Sequence, residues 1–205
     1  MSDNTIARNK SMTRFDQHDS VWLFGYGSLI FKADFPFIER RPAHIVGWSR
    51  RFWQGSHDHR GTVQAPGRVV TLIRDEGATC AGMAYLITPE VFGHLDYREK
   101  NGYLRLATDI LFEDGSCTEG LIYIATEENA AFLGPASERD IARQIAGAEG
   151  PSGRNADYLL GLAVALRELG KDDPHVFEIE RHLQLLDEMN AENDKGKDAA
   201  DMPHP

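Results

Sequence analysis

Between residues 21 and 125 the chain repeats one pattern: a run of apolar or alternating residues followed by a cluster of turn formers. VWLFG, IVGWSRRFW, VVTLIR, TCAGMAYLI, YLRLATDILF and EGLIYIA are rich in β-branched and aromatic residues and read as strands. Asp75-Glu76-Gly77 joins two of these runs and reads as a short hairpin connection. Together the runs predict a sheet or a barrel. The second half changes period. Ser137 is placed to cap a helix in ASERDIARQIAGA, with Asp140 at capping-box spacing. Asn155 is placed to cap NADYLLGLAVALREL, and Asp173-Pro174 opens DPHVFEIERHLQLL with proline in the tolerated first turn. These helices carry apolar stripes that predict they cover the sheet, an α+β arrangement. Residues 1–20 are polar and aperiodic, and the tail from Asp187 to Pro205 has lost its apolar residues. Both ends are therefore expected to be flexible, leaving one domain over residues 21–186.

A further helix lies among the strands. Thr88-Pro89-Glu90 is a start signal, and Val91, Phe92 and Leu95 share a face. At about 100° per residue, Glu99 falls between Val91 and Phe92 on the helical wheel. A carboxylate is placed on the apolar side. Burial raises a carboxyl pKa toward the range where it exchanges protons at neutral pH, which makes Glu99 a general acid/base candidate. Two plainer readings stand beside it: an ion pair with Arg98, Arg50 or Arg51, or a helix that ends early and leaves Glu99 in water. Glu90, in the first turn, reads as a favourable charge on the helix dipole.

The first strand ends in Gly25-Tyr26-Gly27-Ser28-Leu29. Glycine weakens a strand and marks a sharp turn or a close approach of another group. The segment has neither the third glycine of a dinucleotide fingerprint, nor the Lys-Ser/Thr of a P-loop, nor the spacing of a hydrolase elbow. Two readings remain, a plain turn or a set of backbone N–H groups that hold an anion. In RRFWQG, Arg50 and Arg51 point to opposite faces; an arginine lining a pocket would suit a carboxylate substrate, and a solvated face is the plainer alternative. His57-Asp58-His59 has no third ligand at zinc spacing and reads as a loop.

The 41% hydrophobic and 26% charged content is that of an ordinary globular protein, and a net charge of −10 argues against nucleic acid as a partner. No apolar run reaches the roughly 20 residues of a membrane span, and the N-terminus lacks an apolar signal region. Two cysteines, Cys80 and Cys117, do not make a disulfide framework. A cytoplasmic location is expected.

YGSLI, RRFWQGSHDHRGT, PGRVVTL, LDYREKNGY, YIAT, LGPAS, IARQIAGAEGPSGRN and HVFEIE occur in this order from Val21 to Leu183. In this the chain resembles the ChaC family of glutathione-specific gamma-glutamylcyclotransferases. The resemblance implies a small closed β-barrel flanked by helices, glutathione as substrate, no metal and no cofactor, and a monomer or weak dimer. It implies that Tyr26, Gly27, Ser28 and Leu29 cradle the gamma-glutamyl group and that Glu99 is the catalytic acid/base. Arg50, Arg51 and the Gly150–Gly153 loop are then expected to contribute to the pocket. His57 and Asn101 depart from the family pattern, where a small polar residue and glycine are common. Two alternatives stay open: another gamma-glutamyl peptide or amine as substrate, and a non-catalytic regulator linked to cation transport, an older label of the family.

Overall fold

Alternation along each strand sorts side chains to two sides of a closed wall. The strands are β1 (Val21–Gly25), β2 (Glu39–Ser56), β3 (Gly67–Ile87), β4 (Tyr103–Phe112) and β5 (Cys117–Ala125), in the order β1-β3-β2-β4-β5. The computed structural model describes residues 4–200. The barrel closes where β1 meets β5 in parallel, Leu23 opposite Leu121, and all other neighbours pair antiparallel. Phe24, Ile45, Ile110 and Ile122 enter one buried cluster, while Leu23, Tyr85 and Leu121 enter the other. Each such fully buried apolar side chain contributes about 1.5–3 kcal/mol. Closure gives every strand of the wall a neighbour on both sides, although β2 meets β4 only at Ala43 and His44.

Asp75-Glu76-Gly77 is not a hairpin connection. The runs on either side of it belong to β3 and both pair with β2, Arg74 opposite Trp48 and Thr79 opposite Val46. The residues between them bulge out beside Gly47, with Gly77 at φ +82°. A bulge and a hairpin draw on the same turn-forming residues, because both need backbone that glycine adopts at low cost. The irregularity also resets the parity of β2. Before it Ala43 and Ile45 are buried; after it Trp48, Arg50, Phe52 and Gln54 are.

The helices are α1 (Ile6–Ser11), α2 (Phe92–Arg98), α3 (Glu138–Ala146), α4 (Asn155–Glu168) and α5 (Pro174–Ala200). Ser137 caps α3, its Oγ accepting from Asp140 N–H at 3.2 Å. Asp173 Oδ1 accepts from Val176 N–H at 3.1 Å at the start of α5. Asn155 does something other than capping. It is the first residue of α4, fully buried, and reaches across to β3: Oδ1 accepts from Arg68 N–H at 2.6 Å and Nδ2 donates to Arg68 O at 2.8 Å. The amide thus takes the place of a ladder partner and pins α4 to the barrel. A short ladder, β6 (Glu149–Gly150) with β7 (Gly153–Arg154), precedes α4. Among the described residues no helix is long and apolar enough to cross a membrane.

Thr5, Asn9 and Phe15 are buried, and Asn9 Oδ1 accepts from Arg105 N–H at 2.9 Å while its Nδ2 donates to Tyr103 O at 3.0 Å. The hydrogen bonds of Asn9 and the single buried ring of Phe15, rather than a repeating apolar stripe, hold this segment, so hydrophobic periodicity carries no sign of it. At the other end α5 continues past Asp187 to Ala200, and Leu183 is the last buried apolar residue among those whose side chains are described. Residues 1–3 and 201–205 of the expected extensions lie outside the described residues.

Candidate active site

The segment after β1 leaves the barrel wall as a single 3₁₀ turn, Ser28–Ile30, and is held from four directions. Tyr26 O accepts from Arg50 Nε at 2.6 Å, and Tyr26 Oη donates to Tyr123 O at 2.8 Å. Ser28 Oγ accepts from Arg98 Nη2 at 2.9 Å, and Leu29 O from Tyr85 Oη at 2.6 Å. The first backbone donor inside the turn is Ile30 N–H, which bonds Gly27 O at 3.0 Å. The N–H groups of Ser28 and Leu29 therefore have no partner within the turn, the usual state of donors at such a start. Gly27 is required by space. A Cβ there would stand 2.9 Å from Val70 Cγ2 and 3.0 Å from Tyr158 Oη.

Glu99 follows the last residue of α2 and is still tied to it, its N–H donating to Leu95 O at 2.8 Å. The helix ends early, yet the side chain is not released into water: it is 17% exposed and pairs with Arg98, Nε to Oε1 3.1 Å. Burial pushes its carboxyl above the ordinary glutamate value; Arg98 offsets part of this, and the nearby Asp34 and Asp58 add to it. Arg98 in turn pairs with Asp34. The fully buried carboxylate of α2 is a different one, Asp96, with Oδ1 accepting from Tyr123 Oη at 2.8 Å and Oδ2 from Arg105 Nη2 at 3.1 Å. Glu90 is held below the ordinary value by a hydrogen bond from Thr88.

Glu99 faces two connected spaces. The inner one, about 70 Å³, is bounded by Gly25 to Leu29, Val70 and the side chains of Tyr103, Tyr123 and Tyr158. The outer one, about 250 Å³, shares Ser28, Glu99, Tyr103 and Tyr158 with it and opens between Lys32, the 57–60 loop and Ser152. Burial holds Tyr26 and Tyr103 well above the ordinary tyrosine value and pushes Tyr158 up to about 12, so their hydroxyls stay protonated at neutral pH. The Tyr158 hydroxyl accepts from Val70 N–H at 3.5 Å and keeps its own proton for the cavity. The arrangement supplies a largely buried carboxylate with a raised pKa, backbone and hydroxyl donors, and largely desolvated walls, a set suited to acyl transfer within one small molecule.

Of the residues singled out in the sequence, the fold brings Tyr26, Gly27, Ser28, Leu29 and Glu99 to one cavity. It does not bring Arg50 and Arg51 there. Arg50 is buried behind the turn, where besides Tyr26 O it meets Ala81 O and, at 2.6 Å, Asp173. Arg51 is partly exposed beside Asp75, and both arginines border a separate cleft with His175. The parity change in β2 puts Arg50 on the buried face with Trp48 and Phe52, where its guanidinium meets Asp173 just before α5. His57 and His59 line the outer space, with His59 Nδ1 3.1 Å from Ser152 Oγ. Asn101 lies beyond the end of α2 and donates to Asp58. Sequence reasoning missed Tyr158, which sits among the apolar positions of a covering helix with no local signal. Tyr103 had a signal, its place directly after Asn101-Gly102 in the Glu99 motif.

Residues 21–186 match the family described as ChaC-like protein. A zebrafish (Danio rerio) relative named glutathione-specific gamma-glutamylcyclotransferase 1 is 44% identical over 175 residues, covering 80% of this chain and 89% of its own. A Saccharomyces cerevisiae relative named glutathione-specific gamma-glutamylcyclotransferase is 34% identical, covering 75% and 88%. A crystal structure of a yeast gamma-glutamyl cyclotransferase specific to glutathione superposes with a TM-score of 0.75 at 30% identity, over 82% of this chain and 96% of that one. The barrel, the turn after β1 and the match over nearly the whole folded core lead to one assignment: this chain belongs to the ChaC-like protein family.

Proposed function

We propose that this protein is a glutathione-specific gamma-glutamylcyclotransferase, with Glu99 as its acid/base. The observation that carries the reading is the meeting, in one partly dry cavity, of a carboxylate with a raised pKa and a pinned turn of backbone donors. The names borne by the relatives supply the substrate.

Glutathione already contains both reactants. Its α-amine attacks the γ-carbonyl carbon of the same residue; the new N–C bond closes a five-membered lactam and the bond to the cysteine nitrogen breaks. The products are 5-oxoproline and cysteinylglycine, and no water is consumed. The amine arrives as an ammonium without a lone pair. The ammonium loses two protons on becoming the lactam N–H, and the departing cysteine nitrogen gains two on leaving as an ammonium. Ionised Glu99 takes each in turn from the attacking nitrogen, becomes a carboxylic acid, and passes it to the departing nitrogen, so that a single residue closes the proton balance.

Holding the folded-back conformer supplies roughly several kcal/mol of the barrier. In this reading the Ser28 and Leu29 N–H groups and the Tyr158 hydroxyl receive the gamma-glutamyl head, and Arg98 holds Glu99 and Ser28 in register. Arg50 acts through the turn rather than on the substrate: its bond to Tyr26 O sets the position of the segment, and it is a positioning residue. Ser28 is a binding group and forms no covalent intermediate, because the internal amine makes one unnecessary.

The test is to incubate the purified protein with glutathione and a chelator and to quantify both products. Equimolar 5-oxoproline and cysteinylglycine from the parent, and neither from Glu99→Gln, is the expected result. Turnover by Glu99→Gln at the parent rate would remove Glu99 from the mechanism.

A further inference from the structure

The outer space has an electrostatic feature that the cyclisation chemistry does not use. It contains the carboxylates Asp34 and Asp58 and the cations Lys32 and Arg60. The carboxylates are engaged, Asp34 by Arg98 and Asp58 by the Asn101 amide and His59. The cations are not. Neither the Lys32 ammonium nor the Arg60 guanidinium forms an ion pair among the described residues. Arg60 is nevertheless fixed in place: Nη1 donates to Arg154 O at 3.1 Å, its N–H donates to Ser56 Oγ at 3.0 Å, and its Cζ lies 5.8 Å from the centre of the Tyr158 ring. Nε and Nη2 form no hydrogen bond among the described residues, on a side chain that lines the outer space of a protein whose net charge is −10.

Tyr158 relates this guanidinium to the reacting end. Its hydroxyl is at the Gly27 turn and its ring is beneath Arg60. The side chain therefore spans the distance from the gamma-glutamyl end to the guanidinium. Two extended residues cover roughly 7 Å, a span of the same order. A substrate whose γ-carbonyl lies beside Glu99 and whose next two residues run outward past Tyr158 would present its terminal carboxylate to Arg60.

We propose that Arg60, with Lys32 of the same outer space, binds the terminal carboxylate of a gamma-glutamyl tripeptide and so selects it over shorter or C-terminally blocked gamma-glutamyl compounds. This rests on the cyclotransferase reading and adds the residue that makes it specific. Arg60 carries the larger share, because its guanidinium is held by Arg154 O and the Tyr158 ring, whereas Lys32 is exposed and pays more side-chain entropy on binding.

The experiment compares kcat and KM of the parent, Arg60→Gln and Arg60→Lys on glutathione, on its C-terminal amide and on gamma-glutamylcysteine. The parent is expected to prefer glutathione over the amide by about tenfold, the scale of one charge-assisted pair at a partly exposed site. Arg60→Gln is expected to raise KM for glutathione by about tenfold, to leave kcat within about twofold, and to leave both constants for the amide nearly unchanged. Arg60→Lys should recover part of the loss. A parent that treats acid and amide alike overturns the proposal and leaves the cyclotransferase standing; this arm also decides the matter if Arg60→Gln fails to fold. Equal slowing of all three substrates by Arg60→Gln overturns it too, since that marks a structural role. A parent that releases no 5-oxoproline from any of them overturns the underlying reading and the selectivity with it.

Discussion

Asp96 and Glu99 stand one helical turn apart, and the fold treats them in opposite ways. Asp96 is enclosed, its side chain 2% exposed, with Tyr123 on one oxygen and Arg105 on the other. Burial pushes its carboxyl up and these two partners pull it back. Glu99 has one partner, Arg98, and turns its remaining edge to a cavity. Both are carboxylates taken out of bulk water. What separates the structural group from the proposed reactive one is not burial but whether protein donors occupy every side of it, because a lone pair already bonded to protein is closed to a substrate.

The comparison can be broken by four substitutions. The largest effect belongs to Glu99→Gln, expected to lower kcat by about 10²- to 10⁴-fold while the thermal midpoint stays near that of the parent. Asp96→Ala should do the reverse. It leaves Arg105 buried and unpaired, so denaturant unfolding should show a loss of about 3–5 kcal/mol, with turnover per folded molecule close to normal. Loss of turnover at full stability in Asp96→Ala would erase the distinction between the two carboxylates. Gly27→Ala comes next: the added methyl crowds Val70 and Tyr158, and a cost of about 1–3 kcal/mol is expected together with a raised KM for glutathione.

The smallest effect sharpens the role of Arg98. In the proposed mechanism Glu99 acts first as a base, so kcat/KM is expected to fall as pH drops through its pKa, which burial places above the ordinary glutamate value. Arg98 favours the ionised form, so Arg98→Met raises that pKa further and the acid limb of the pH–rate profile moves to higher pH. A limb that stays in place, or moves down, would mean that Glu99 does not set it.

Much of the site was legible from local pattern. The glycines after VWLF announced a close approach, and Gly27 is where the Val70 and Tyr158 side chains leave no room for a Cβ. The wheel placed Glu99 on the apolar side of α2, and the residue keeps that register although the helix has ended. What failed did so for a common reason: the partner lay far away in sequence. Asn155 looked like a cap because caps are local, but its amide is used by Arg68 across 87 positions. Arg50 looked like a ligand for an anion, and its carboxylate is Asp173. Asp75-Glu76-Gly77 looked like a hairpin because nothing nearby shows that both flanking runs pair with β2.

From the chain alone came the strands, the covering helices, the turn at Gly25 to Leu29, the candidate carboxylate Glu99 and the resemblance to a family. Each depends on spacing or residue type within a few positions, where steric limits and periodicity act. Only the tertiary structure decided which carboxylate is open and which is enclosed, which arginine supports the turn, and that Tyr158 and Arg60 join the cavity. These are outcomes of barrel closure and of the parity change in β2. They depend on side chains from distant segments competing for the same small volume, which is a property of the folded whole.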